Sequence, residues 1–279
     1  MNFESIIANI DSLPPLSNAA FLVQQLYSRD ADNVNIAKLV RIIESDALLT
    51  ANILKMINAP VHGFSKKIAS ISHAVTLFGT RNIYGLVINY AINEKIKANT
   101  AIYGLSAPEF NQMCHLQSTL MMQWFSKIDL RHAQLLAPLA LIMESGKLVL
   151  SNEVAKSNYV QEFKKGFRDC DDIERYEYSL IDTTSYYLSA LLFEHWHLEP
   201  LYIEILKGLD FETDADKKLE FYMDTLDVIR VAINVKHILT DESILLACNV
   251  VEDLGLDPKH FKNTAIRVRD THLKDENKR

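Results

Sequence analysis

Ile68-Ala69-Ser70-Ile71-Ser72-His73-Ala74-Val75-Thr76-Leu77-Phe78-Gly79-Thr80-Arg81 decides the fold. Ile71, Ala74, Val75 and Phe78 recur at three- and four-residue steps, the period of one helix face. Ser70 stands where an N-cap belongs, and Gly79 where a helix stops. Thr80 is placed to cap a second helix carrying Ile83, Leu86, Val87 and Ile88. The stretch reads as helix, glycine, helix.

The same period extends in both directions. Upstream, Ile36, Leu39, Val40 and Ile43 mark a helix within Asn33–Ser45. Asp46 can cap the next helix, which carries Leu49, Ile53, Leu54 and Ile57 and stops near Asn58-Ala59-Pro60. His62 to Lys67 then reads as a loop. Downstream, Ser106-Ala107-Pro108-Glu109 combines a cap residue, an early proline and an acidic first turn, so it opens a helix through His115 and Trp124. His132 to Glu144 is apolar almost all round and predicts a buried central helix, kinked or restarted at Pro138. Shorter helices are expected at Gln161–Phe167, Ile173–Tyr178 and Thr184–Trp196, and Pro200 opens another. Leu209 to Asp216 is polar and acidic and marks a boundary. Beyond it, helices are expected over Lys217–Leu239 and Glu242–Leu254, followed by a fraying, mildly basic tail containing Lys262, Arg267, Arg269, Lys274, Lys278 and Arg279. No period-two pattern competes. The fold class is all-α.

Composition narrows the function classes. Only 8 glycines and 7 prolines occur in 279 residues, too few for a turn-rich β-sandwich. The formal net charge of −7 weighs against broad contact with a phosphate backbone, so a nucleic-acid role rests on the basic tail alone. Cys114, Cys170 and Cys248 are distant and form no CxxC pair, which supports neither a zinc ribbon nor a disulfide framework. The N-terminus has no basic start followed by an apolar run, and the run Leu135–Met143 falls short of the roughly 20 residues of a membrane span. A cytoplasmic location, no membrane and no cofactor are the expectations.

Candidate sites have bland readings beside the chemical ones. His195 and His197 lie two apart, on different helix faces, so they flank a buried Trp196 rather than chelate together. Asp210 to Asp216 imitates a calcium loop, but Ala215 and Phe221 occupy the positions that need glycine and a bidentate glutamate. Asp169, Asp171 and Asp172 read as an exposed turn and helix start. His115 is, by default, a histidine near the core. No GxGxxG, P-loop or GxSxG motif is present.

Taken in order, Ser12-Leu13-Pro14-Pro15-Leu16, Ile43 to Thr50, Asn58, Gly63 and Ile68 to Arg81 resemble the HDOD family of bacterial signalling proteins. Ala47 stands where the family usually has proline, and Ala59 where it usually has serine. Asp46, Asn58 and Gly79 are the signature residues that match. The resemblance implies an HDOD domain over residues 1–209, with an N-terminal helical lobe at 1–105 packed on an HD-like lobe at 106–209. Residues 210–279 would form a helical extension and tail.

HDOD proteins resemble the HD phosphohydrolases, which hold a metal with a histidine, a later His-Asp pair and a further aspartate. His115 lies about where the first histidine falls. Gly146 and Lys147 match the Gly-Lys that follows the His-Asp pair, which aligns that pair with Met143 and Glu144. A thioether is a poor substitute for imidazole on such metals. Asp182-Thr183-Thr184 and Lys207-Gly208 fall where relatives often show histidines. The resemblance thus implies a non-catalytic signal-transduction module, acting through a protein partner or a small ligand, with His115, Met143, Glu144 and Lys147 as remnants of the HD site. The alternative is a residual phosphohydrolase or nucleotide sensor holding a phosphate near His115, Glu144 and Lys147. Lys147 carries that alternative, since a point charge can hold phosphate; otherwise it is a lysine at a helix C-terminus.

Overall fold

The computed structural model describes residues 3–59, 66–209 and 217–276. Pro60, the loop from His62, Gly63, the acidic stretch 210–216, Lys278 and Arg279 lie outside the described residues. The first helices are α1 (Phe3–Asp11), α2 (Asn18–Arg29), α3 (Ile36–Glu44), α4 (Ala47–Ile57), α5 (Ile71–Phe78) and α6 (Thr80–Lys95). A 3-10 turn (Thr100–Tyr103) leads to α7 (Ala107–Phe125), α8 (Leu130–Ile142), α9 (Ser145–Lys156), α10 (Val160–Asp169) and α11 (Ile173–Ile181). The chain ends with α12 (Ser185–His195), α13 (Pro200–Gly208), α14 (Lys217–Ala232), α15 (Asp241–Asp253) and α16 (Pro258–Glu276). Among the described residues, the extended pairing recorded is a single bridge, Ile233 with Ile238. The protein is all-α.

Side-chain caps set many of the boundaries. Asp46 accepts from the Leu49 N–H at 2.9 Å and Ser70 from the His73 N–H at 3.2 Å. Ser106 and Glu109 form a reciprocal capping box: the Ser106 N–H donates to Glu109 Oε2 at 2.7 Å, and Glu109 N–H donates back to Ser106 Oγ. Thr80 departs from expectation. It is the first residue of α6, and Gly79, with φ 76°, carries the junction.

Three further differences have physical causes. The buried helix expected at His132–Glu144 runs instead over Leu130–Ile142, with Pro138 inside it. Pro138 comes so close to Gly85 that an added Cβ there would sit 2.8 Å from the proline ring. The sequence reading has no helix directly after Glu144, yet α9 follows. It buries Ser145, Gly146, Lys147 and Ser151 along with its apolar residues, which erases the periodicity that would mark it. The tail does not fray at Lys262: it forms α16, whose Phe261, Ala265 and Val268 are buried at helical spacing. Asp257 before Pro258 signals that start, and Asp257 Oδ1 accepts from the Lys259 N–H at 2.9 Å. The helix expected to reach Leu239 ends at Ala232, where Asn234 Oδ1 turns the chain by accepting from the N–H groups of Lys236 and His237.

Contacts divide the chain into two compact units built from interleaved segments. One comprises Met1–Pro15, Ile92–Gln112 and Met143–Met223; the other comprises Leu16–Ala91, Met113–Ile142 and Asp224–Arg279. Each unit takes segments from both 1–105 and 106–209. In the first unit, α9 packs on α12, which also meets α13 and α1. In the second, α3 meets α2, α4 and α5, and α15 meets α16; Trp124 lies 5.0 Å from Phe261, centroid to centroid. The run Leu130–Lys156 is long and apolar enough to cross a membrane, but 94% of its apolar window is buried in the protein. It reads as core.

Candidate functional site

The α8–α9 link begins the first unit's polar centre. Met143 is fully buried, and Glu144 and Lys147 are each 1% exposed. Lys147 stands in the first turn of α9, not at a helix C-terminus as its bland reading has it. Its Nζ meets Glu144 Oε2 at 2.8 Å, donates to Ser185 Oγ at 2.8 Å and lies 3.8 Å from Glu177 Oε1. It also sits 4.7 Å above the Tyr186 ring, a cation–π contact.

Both carboxylates are tied on their other sides. Tyr186 OH donates to Glu144 Oε1 at 3.1 Å, and Tyr103 OH donates to Glu177 Oε1 at 2.9 Å. The Ser185 N–H, at the start of α12, donates to Glu177 Oε2 at 2.8 Å, so a helix N-terminus faces the negative charge. Burial opposes the charge on Lys147, yet Glu144 and Glu177 outweigh it and hold the ammonium well above its ordinary pKa. Burial, with Glu177 beside it, likewise pushes the Tyr103 phenol well above its usual value. Lys147 is thus a fixed cation, unsuited to act as a base or nucleophile.

This centre depends on a close approach of α9 to α12. A Cβ on Gly146 would fall 1.8 Å from the Ser185 carbonyl oxygen. The Gly146 N–H donates to Ser189 Oγ at 2.7 Å, and that hydroxyl donates to the Met143 carbonyl at 2.7 Å. The Gly-Lys dipeptide is therefore structural twice over: glycine admits α12, and lysine supplies the cation against the carboxylates that α11 and the link bring in.

The donor set does not fit a catalytic metal. At the His-Asp position stand a buried thioether and a carboxylate already held by Lys147 and Tyr186. Asp182, with φ 54°, closes α11; Thr184 caps α12; Lys207 pairs with Glu194 at 2.6 Å. Among the described residues, no group of three or more His, Cys, Asp and Glu side chains is arranged to hold a metal ion.

His115 belongs to the second unit and lines a cavity of about 320 Å³ there. It is half-buried, and desolvation lowers its pKa from 6.5 to about 4. The unfolded chain takes up this proton near pH 6.5, while the folded protein resists it until about 4. The residue's contribution is therefore complete above that window and is lost as the pH falls through it. Stability should drop by about 1–3 kcal/mol across the window, less than the full shift implies because part of the ring meets solvent. Urea midpoints measured from pH 7 to 4 should show that slope in the native chain and its loss in His115→Gln; parallel curves would refute the assignment.

The signature residues are architectural. Asp46 caps α4. Asn58 holds the backbone of Ile68, ten residues away, accepting from the Ile68 N–H and donating to the Ile68 carbonyl, each at 2.8 Å. Gly79 supplies the positive φ between α5 and α6. In the first unit, Trp196 is buried as expected; its indole N–H donates to the Pro14 carbonyl and His195 Nε2 to that of Leu13, each at 3.1 Å. Asp172 caps α11, which accounts for the acidic cluster. Glu177, Tyr103, Ser185 and Tyr186 escaped the sequence reading. The signal was Glu177 itself, set between Ile173 and Ile181 on one buried stripe.

The HDOD domain family matches residues 13–208. No curated protein matches the chain. Among solved structures, an HDOD domain protein of unknown function from Geobacter sulfurreducens superposes with TM-score 0.67 at 15% identity, over 98% of this chain and 94% of the other. A protein from Shewanella amazonensis SB2B, provisionally named a phosphohydrolase, gives 0.72 at 14% identity over 97% and 96%. One from Marinobacter aquaeolei VT8, provisionally named a signal transduction protein, gives 0.71 at 17% identity over 98% and 64%. At these identities the likeness is one of fold.

Proposed function

Because this chain belongs to the HDOD domain family, we propose that it is a non-catalytic signal-transduction module of the bacterial cytoplasm, acting by binding a protein partner or a small ligand. The observation that carries this reading is the Glu144–Lys147–Glu177 centre. Where an HD phosphohydrolase presents metal ligands to water and substrate, this chain has a sealed ion cluster whose hydrogen bonds hold four segments together. The signal-transduction name of the Marinobacter relative and the family match support the regulatory part. The rival reading needs Lys147 to hold a phosphate, but its side chain is 2% exposed and engaged by Glu144 and Ser185. Reaching it would mean breaking a buried pair, a cost of about 3–5 kcal/mol.

The test joins metal analysis of the purified chain to a phosphodiesterase assay on bis(p-nitrophenyl) phosphate with added manganese. Neither stoichiometric metal nor turnover is expected. Turnover that disappears in His115→Ala would overturn the proposal.

A further inference from the structure

We propose that the cavity beside His115 is a binding site for a small, uncharged, partly aromatic or aliphatic molecule bearing an amide-like hydrogen-bonding group. The inference deepens the binding-module reading and rests on it. Three observations carry the ligand's chemistry.

The first is size. At about 320 Å³ the cavity falls at the lower end of ordinary ligand pockets and suits a molecule of one or two rings. The second is charge. Its described lining contains no Asp, Glu, Lys or Arg. The adjoining cleft shares Phe78, Gly79 and Gln134, and its charged pair, Arg81 and Asp32, is closed on itself at 3.0 Å. A phosphate or carboxylate entering the cavity would lose its hydration with no formal countercharge in the lining. The third is a stranded hydroxyl. Thr119 lines the cavity and is 6% exposed, and among the described residues its Oγ1 has no hydrogen-bond partner. Threonine in a helix divides between two χ1 rotamers, so exchanging methyl for hydroxyl can turn this donor toward an occupant. Leu77 and Leu130, 47% and 54% exposed, also line the cavity and offer apolar contact.

Three isosteres differing in charge test the assignment on the full chain: 2-naphthamide, 2-naphthoate and 2-naphthamidine, titrated calorimetrically at pH 7. The amide should bind at least about tenfold more tightly than either ion, because the site offers polar partners but no countercharge. Thr119→Val should weaken the amide several-fold while leaving Tm unchanged or raised, since it removes an unpaired buried hydroxyl. Met122→Trp, at a half-buried lining position, should abolish binding with Tm retained, and Leu77→Trp at an exposed position is the second blocking variant. Equal binding of the ions, amide binding that persists in both tryptophan variants, or no amide binding would overturn the site. If the amide fails while the phosphodiesterase assay stays blank, the cavity assignment alone falls; metal-dependent turnover would instead remove the reading beneath it.

Discussion

Lys147→Met should destabilise the protein by about 3–5 kcal/mol, read as a fall in urea midpoint at pH 7. The methionine fills most of the volume, so the loss is electrostatic. Glu144 and Glu177, 1% and 0% exposed, would keep their charges without a cation and face each other across the vacated position. Adding Glu144→Gln and Glu177→Gln to Lys147→Met should restore much of the loss at pH 7, because an uncharged set escapes the penalty of unpaired burial. A loss below about 1 kcal/mol, the range of a surface pair, would mean the centre is solvated and would remove the main support for the non-catalytic reading.

Gly146→Ala should be at least as damaging, at about 4 kcal/mol or more, and soluble expression itself is the first readout. Helix propensity alone favours alanine here by about 1 kcal/mol. The opposing effect is larger because the new Cβ meets backbone: the Ser185 carbonyl oxygen at 1.8 Å and the Ser189 nitrogen at 2.7 Å. Neither atom can rotate aside, so α12 must retreat from α9, which would break the Lys147–Ser185 and Gly146–Ser189 hydrogen bonds. Gly104→Ala separates crowding from backbone strain. Gly104 has φ 78° and open space around the added carbon, so its cost should stay near 1 kcal/mol. Equal effects at the two positions would refute the close-approach account.

These substitutions fall on residues the sequence identified for a different reason. Gly146 and Lys147 fix the register of a resemblance, and nothing in one dimension says that the pair is a spacer and a counter-ion. The positions with purely local jobs were more transparent. Asp46, Ser70 and the Ser106–Glu109 pair cap helices within three residues of themselves, so their roles can be read along the chain. Asn58 was recognisable by family pattern, but its work is done on Ile68, ten residues away. Glu177 reaches Tyr103 across 74 residues and was not found at all.

The sequence by itself determined that the protein is helical, placed many of its helix starts, and supplied a family signature together with the missing His-Asp pair. Each of these depends on near neighbours: side-chain period, caps, and residue identity in an ordered motif. Only the tertiary structure decided that Lys147 lies in the first turn of a buried helix instead of at a helix C-terminus, and that Met143 and Glu144 lie in a sealed ion cluster. It alone grouped the helices into interleaved units and placed His115 against an uncharged cavity. The physical reason is the same throughout. Burial and charge pairing depend on which distant segments meet, and a helix such as α9, enclosed on nearly every side, carries no polar face from which that meeting could be read.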